Sequence, residues 1–176
     1  ILQGFEEVIL ATGITPRAAG IPGEDAPQVL SYREVLRGAP VGACVAVIGA
    51  GGIGFDVAEF LVHHGVSPTL DAPLWRREWG VGDPAKVRGG VLRPQPEPPA
   101  REVLLLQRKA GKPGAGLGKT TGWVHRAVLQ RHGVQMLSGV AYERIDDAVD
   151  GLAQIPALLL GALVVVAFPL GAGQHT

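Results

Sequence analysis

The sequence predicts an α/β protein built on a parallel sheet, and three observations lead to this prediction. An apolar, β-branched run at residues 43–48 leads directly into a glycine-rich turn, and a segment with helical spacing of apolar residues follows. A second apolar run, Glu102–Gln107, has the length of a buried strand. Apolar residues make up 47% of the 176-residue chain, which is too many for a disordered protein. Uninterrupted apolar strands alternating with helices are typical of a parallel sheet covered on both faces.

Composition excludes several classes of protein. The 16 basic and 16 acidic side chains cancel, which argues against a dedicated nucleic-acid-binding protein. A single cysteine excludes a disulfide scaffold and favours a reducing, cytoplasmic compartment. The charge is unevenly spread, because residues 66–135 carry twelve basic and five acidic side chains between two acidic ends. This distribution indicates either an anion site or a solvated basic loop.

The first residues read as a strand that runs into a turn. The run at residues 5–13 is apolar at its centre and ends at Gly13. The first residues carry neither a basic start nor a cleavage site, so we do not expect them to be a targeting peptide. A domain seldom begins inside its own core, so we expect that a further part lies upstream.

The turn after residues 43–48 matches the pattern G-x-G-x-x-G at Gly49–Ala50–Gly51–Gly52–Ile53–Gly54. Gly49 permits the tight turn, Gly51 lets a pyrophosphate approach the backbone, and Gly54 lets the helix pack on the strand. The helix start presents free N–H groups and a positive dipole end to the phosphates, and Gly65 is expected to stop the helix. We therefore predict a Rossmann-like dinucleotide site at Gly49, Gly51, Gly52 and Gly54.

The choice of nicotinamide cofactor depends on the position of the next strand. Residues 66–70 end at Asp71, an acid that would favour NAD, but they contain Pro68. Glu102–Gln107 is a better buried strand, and it ends at Arg108 and Lys109, which suit the 2′-phosphate of NADP. We prefer this second strand, and therefore NADPH, although it requires a long insertion over residues 66–101.

A second glycine-rich segment, residues 114–120, resembles a phosphate-binding P-loop. The spacing fails by one residue and no strand directly precedes the loop, so we do not predict an NTPase. The loop is expected to lead into a helix at residues 121–132. Val124 and Val128, together with Trp123 and Ala127, are predicted to line the apolar side of that helix.

Cys44, His63 and His64 are residue types that can bind metals, but each has a simpler structural interpretation. Cys44 lies within a strand and is expected to be a small buried apolar residue. His63 and His64 fall at the end of the helix, where cations suit the dipole. None has neighbours at a metal-ligand spacing, so we predict no metal ligand and assign no catalytic side chain.

The region 151–176 carries no Asp, Glu, Lys or Arg, and residues 155–170 are almost wholly apolar. Three interpretations remain open: a buried strand at Leu163–Ala167, a membrane segment, or a sequence altered by a shifted reading frame. Pro156, Gly161 and Pro169 and the absence of basic anchors argue against membrane insertion.

Several segments together resemble the C-terminal half of the bacterial NADPH-dependent 2,4-dienoyl-CoA reductases. The resemblance runs from about Phe5 to about Asp147 and is most specific at residues 107–109 and 116–123. The segments that carry it are residues 9–17, 29–32, 48–56, 78–80, 106–109 and 116–126.

The resemblance implies an electron-relay flavoprotein in which hydride passes from NADPH to FAD. It implies that Ala11, Thr12 and Gly13 close an FAD domain, with their backbone near the flavin. We accordingly expect a fragment of a second, FAD-binding Rossmann-like domain at residues 1–40, an NADPH-binding domain at 41–150 and an atypical tail at 151–176.

The same resemblance implies a partner domain upstream, a barrel that carries FMN, an iron–sulfur cluster and the acyl-CoA site. Alone, this chain is expected to bind nicotinamide and flavin nucleotides, neither nucleic acid nor membrane, and to be inactive in the full reaction. The alternatives are a related enoate reductase or amine dehydrogenase, or a non-catalytic nucleotide-binding remnant.

Overall fold

The computed structural model describes residues 4, 6–11, 18–65 and 67–145, and the backbone of residues 163–167. These residues form one five-stranded sheet in which all paired strands are parallel, in the spatial order β1-β5-β2-β3-β4. The strands are β1 (Val29–Ser31), β2 (Cys44–Ile48), β3 (Glu102–Gln107), β4 (Gln135–Ser138) and β5 (Leu163–Ala167). The predicted α/β class with a parallel sheet is confirmed.

In the described part of the chain, four α-helices lie between strands β1 and β4 along the sequence. They are α1 (Tyr32–Leu36), α2 (Gly52–Val62), α3 (Ala72–Trp79) and α4 (Gly122–Arg131). A capping box starts α1, because the Ser31 hydroxyl accepts from the Glu34 amide while the Glu34 carboxylate accepts from the Ser31 amide. The hydrogen bonds from Ser31 hold the pKa of the Glu34 carboxyl below its usual value.

Both faces of the central strands are covered. Every residue of β2 is buried, as are four consecutive residues of β3, which explains their uninterrupted apolar sequences. On one face, Val47 and Leu105 pack with Phe55 and Leu61 of α2 and with Leu129 of α4. The opposite face has a smaller cluster, formed by Ile21, Ala46, Ile48, Leu104 and Leu106.

The elements predicted around the glycine motif are confirmed, with small shifts at their ends. Helix α2 ends at Val62, and His63 and His64 follow it; Gly65 has φ +56°, a backbone conformation that suits glycine. Cys44 is buried, and burial, followed by the Glu102 charge and hydrogen bond, raises the pKa of its thiol.

The prediction of which residues line the apolar side of α4 is partly wrong. Leu129 is fully buried, whereas Trp123 is 59% exposed. At 100° per residue, Trp123 lies about 120° around the helix from Leu129, so it turns away from the sheet. The side chains of Val124, Ala127 and Val128 are half-buried.

The expected strand at residues 5–13 is also not found in its described part. Residues 6–11 form no strand, and Ile9 and Leu10 are 92% and 80% exposed. A strand needs a neighbouring strand to pair with its backbone groups, and none of the described strands pairs with this run.

The insertion over residues 66–101 is structured. After a 3₁₀ turn at Pro68–Leu70, α3 begins at Ala72 and ends at Trp79, and its C-cap Gly80 has a left-handed backbone. The Asp71 carboxylate caps α3 by accepting from the Leu74 amide at 2.9 Å. The alternative second strand at 66–70 is therefore wrong, since Pro68 starts a helical turn and Asp71 serves as a helix cap.

The apolar region near residue 160 contributes β5, which lies between β1 and β2. Of the three interpretations of that region, the parallel strand is the one that the structure shows. In the described part of the chain, no helix is both long and apolar enough to cross a bilayer. Strands from all three predicted segments, 1–40, 41–150 and 151–176, share this sheet, and the division into domains stays a prediction.

Candidate dinucleotide-binding site

The glycine turn joins β2 to α2 at the carboxyl end of the sheet's central strand. Gly49 has φ +111°, and its amide donates to the Leu106 carbonyl at 2.8 Å, which ties the turn to β3. A Cβ atom at Gly54 would overlap the Gly49 carbonyl oxygen, so this position requires glycine for close packing of helix on strand. A Cβ at Gly51 or Gly52 would meet nothing within 4 Å. The turn therefore has the open side that an approaching pyrophosphate needs.

The first turn of α2 is suited to an anion. Gly51 is the N-cap, so no side chain satisfies the amides there, and the first turn carries no acidic residue. The first helical hydrogen bond is donated by the Phe55 amide to the Gly51 carbonyl, at 3.1 Å. The preceding amides and the positive end of the helix dipole thus point toward the open side of the turn.

The strand order places this turn at a topological switch point. From β2 the chain passes to β3 on one side and returns to β5 on the other. In open parallel sheets, ligands bind outside the carboxyl ends of the strands at such a point. The geometry of the turn and the topology of the sheet therefore both indicate the glycine turn as the ligand-binding site.

Arg108 and Lys109 directly follow β3, the strand beside β2, and both side chains are exposed. Two hydrogen bonds to the Lys109 carbonyl fix the backbone of their loop. The Gln107 side-chain amide donates one at 2.9 Å, and the Gly139 backbone amide donates the other at 3.2 Å. Neither cation forms an ion pair with any other described residue. Within the described residues, the end of β3 therefore offers two positive charges without an acidic partner.

Tyr142 is a neighbour of this site that the sequence analysis missed. Burial raises the pKa of the Tyr142 phenol to about 12, while the nearby charge of Arg108 opposes the rise. Its hydroxyl is buried and finds no hydrogen-bond partner among the described residues. The segment reaches this place because the Val140 amide donates to the Gln107 carbonyl at 3.1 Å. No sequence pattern marks this tyrosine.

The predicted FAD contacts of Ala11, Thr12 and Gly13 are not tested by the structure. Ala11 is exposed, and Thr12 and Gly13 lie outside the described residues. Their contact with a flavin stays a prediction.

The loop at residues 114–120 has a structural role. A Cβ at Gly114 would overlap the ring of Phe55, and Leu117 packs against the main core. Arg126 of α4 donates to the Gly114 carbonyl at 2.9 Å. No strand leads into this loop, since β3 ends at Gln107.

A large groove of about 910 Å³ runs along the helices rather than across the strand ends. It is bordered by α2, α4 and the insertion, and none of the residues predicted to bind a nucleotide lines it. At one end of it, His63, Glu78 and His132 lie together, although the sequence analysis treated His63 only as a residue at a helix end.

A glycine turn at the switch point of a parallel sheet defines a Rossmann-type, nucleotide-binding α/β protein. The family model described as pyridine nucleotide-disulphide oxidoreductase matches residues 3–166. The chain belongs to this family of oxidoreductases, whose members bind FAD and NAD(P)H.

Solved structures show the same fold. A 2-naphthoyl-CoA reductase complex superposes with a TM-score of 0.52 at 18% identity, covering 78% of this chain and 16% of that one. The HOCl-induced flavoprotein disulfide reductase RclA from Escherichia coli has a TM-score of 0.51 at 15% identity, covering 88% and 27%. This chain therefore spans less than a third of either structure, and at these identities the likeness concerns the fold alone.

Proposed function

We propose that this chain docks NADPH for a flavin-dependent oxidoreductase. The observation that supports this most directly is the open glycine turn at Gly51 beside the exposed pair Arg108 and Lys109. The amides at the start of α2 would hold the pyrophosphate. The two cations at the end of β3 would hold the 2′-phosphate, which distinguishes NADPH from NADH.

NADPH supplies a hydride, and in the proposed enzyme FAD receives it. The residues of this chain bind and orient the nucleotide. The Arg108 guanidinium can form two parallel hydrogen bonds to one phosphate, whereas the Lys109 ammonium acts as a point charge. The backbone bonds on the Lys109 carbonyl keep this loop in place without engaging either cation.

For the whole enzyme, we propose the reduction of 2,4-dienoyl-CoA, with an upstream barrel carrying FMN, an iron–sulfur cluster and the substrate site. The support is the sequence resemblance at residues 107–109 and 116–123. A related enoate reductase or amine dehydrogenase would use the same NADPH-docking surface, so the substrate assignment depends on that barrel.

The binding proposal is tested by measuring NADPH and NADH affinities calorimetrically. Replacing Arg108 and Lys109 by Ala should weaken NADPH binding by about 100-fold or more, since charge-assisted hydrogen bonds contribute about 1.5–3 kcal/mol each. NADH affinity should change by less than about twofold on the same principle, because NADH lacks the 2′-phosphate.

The matched control is the double variant Lys86→Ala/Arg93→Ala. It removes the same charge from exposed positions in the insertion, and its NADPH affinity should be unchanged. Equal losses for NADPH and NADH would contradict the 2′-phosphate assignment. A folded chain that binds neither nucleotide would contradict the docking proposal as a whole.

A further inference from the structure

Three potential metal ligands converge from the ends of three helices. His63 follows α2, His132 follows α4, and Glu78 lies in the last turn of α3. One ligand atom from each lies within 4.8 Å of the other two, and the two imidazole rings are 4.7 Å apart between centroids. Two imidazoles and a carboxylate form a ligand set that binds divalent transition metals.

The hydrogen bonds of both histidines prepare them to bind a metal. His63 Nδ1 lies 2.7 Å from the Glu59 carbonyl oxygen, and His132 Nδ1 lies 3.0 Å from the Val128 carbonyl oxygen. A carbonyl only accepts, so Nδ1 of each neutral ring carries the proton and Nε2 keeps its lone pair. Metal-binding histidines are commonly oriented by this kind of hydrogen bond.

Glu78 provides the second, independent observation. The residue is only 5% exposed, and no hydrogen bond or ion pair from another described residue reaches its carboxylate. A cation beside this carboxylate would offset the cost of placing a negative charge on a residue that is mostly buried. Glu78, His63 and His132 also line a small cavity of about 10 Å³, which is close to the volume of one water-sized sphere.

The helix ends add favourable electrostatics. Each ligand lies at the carboxyl end of its helix, where the dipole carries partial negative charge. Two guanidiniums approach these ends and donate to carbonyls, Arg101 to that of Leu61 at 3.3 Å and Arg131 to that of Glu78 at 3.2 Å. These bonds occupy backbone carbonyls and leave the three side-chain ligands available.

We propose that His63, Glu78 and His132 bind one divalent transition-metal ion of the Zn²⁺ type, with water completing the coordination. Metal–ligand bonds of about 2.0–2.1 Å draw donor atoms to within about 3.4 Å of one another, so small side-chain rotations close the site. The ion fastens the insertion that carries α3 to the ends of α2 and α4. The site is structural and lies at the amino edge of the sheet, about 16 Å along α2 from the glycine turn.

The test uses the whole chain without an affinity tag, first stripped with EDTA. Calorimetric titration with Zn²⁺ should show one ion per chain, and Zn²⁺ should raise the temperature of thermal unfolding. Glu78→Gln and His132→Gln should each lower Zn²⁺ affinity at least tenfold and remove most of the thermal shift. His125→Ala, which removes a half-buried histidine that does not line this cavity, is the matched control and should bind as the unmodified chain does.

Variants that fail to fold are recognised by circular dichroism without metal, and His63→Gln then replaces them, because His63 is only half-buried. Co²⁺ gives a second readout, since its visible absorption reports the ligand geometry directly. Failure of the unmodified, folded chain to bind one Zn²⁺ would overturn the proposal. Unchanged affinity in the Glu78 and histidine variants would overturn it equally.

Discussion

Gly51 and Gly54 lie three residues apart in one turn, yet a methyl group would meet different surroundings at the two positions. At Gly54 it would overlap the Gly49 carbonyl oxygen and touch Leu105, whereas at Gly51 it would meet open space. Gly54 therefore serves the packing of the protein itself. Gly51 leaves room that no described part of the chain uses, which is the expected difference between a structural glycine and a ligand-facing one.

This difference predicts opposite behaviour of two alanine variants. Gly54→Ala should lower the free energy of unfolding by about 1–3 kcal/mol, because the helix must move away from the strand. Gly51→Ala should leave stability within about 0.5 kcal/mol and weaken NADPH binding. Urea unfolding and nucleotide titration measure the two effects. Equal destabilisation by both substitutions would contradict the assigned roles.

Tyr142 predicts a loss of stability at high pH. Its folded pKa of about 12 lies above the ordinary value of 10, so the folded chain holds this proton more tightly than the unfolded chain. The contribution is complete below about pH 10 and is lost as the pH rises through about 12. Urea unfolding across this range should show a smaller alkaline loss for Tyr142→Phe. Tyr32→Phe, a change at the only other tyrosine of the sequence, should lose as much stability at high pH as the unmodified chain does.

At the scale of elements, the sequence was most informative where a single segment carries its own pattern. Strands β2, β3 and β5 are continuous apolar runs, and α2 and α4 start after recognisable glycine turns. Strands β1 and β4 were not predicted, because they are only three and four residues long and alternate little in polarity. Their strand conformation comes from pairing with β5 and β3.

The nucleotide site and the proposed metal site also differ in how far the sequence predicts them. Gly49 to Gly54 and Arg108–Lys109 could be located from the sequence, because each follows a strand and parallel strands end at one edge. The cluster of His63, Glu78 and His132 could not, since its members are far apart in sequence and come together only when α3 packs beside α2 and α4. Tyr142 was missed for the same reason.

The attachment of the insertion to α4 gives a prediction at this scale. The Arg131 guanidinium lies 4.0 Å over the Trp79 ring and donates to the Glu78 carbonyl. Arg131→Ala should destabilise the chain by about 1–2 kcal/mol and raise proteolysis within residues 80–100. Arg131→Lys should recover part of the loss, since it keeps the charge over the ring. Unchanged cleavage in the alanine variant would show that other contacts hold the insertion.

At the scale of the whole molecule, the sheet depends on β5. This strand pairs with β1 on one side and β2 on the other, and β1 pairs with no other strand among the described residues. Without β5 the edge of the apolar strand β2 would be exposed, and such edges promote aggregation.

Deletion of residues 151–176 should therefore yield aggregated protein, because it removes β5 from the middle of the sheet. Deletion of residues 170–176 keeps β5 and should yield folded protein. Solubility and circular dichroism after identical expression compare the two. A folded, monomeric product of the longer deletion would show that the remaining strands close the sheet without β5.

The central place of β5 also affects how the protein is made. On the ribosome, β1, β2, β3 and β4 emerge before their last partner exists, and β2 must wait for a strand more than one hundred residues further along the chain. During that interval the apolar strand β2, which lies in the middle of the finished sheet, is an open edge strand. Elongation speed and chaperone capture should therefore determine how much of this protein reaches its folded state, even where its final stability is ample.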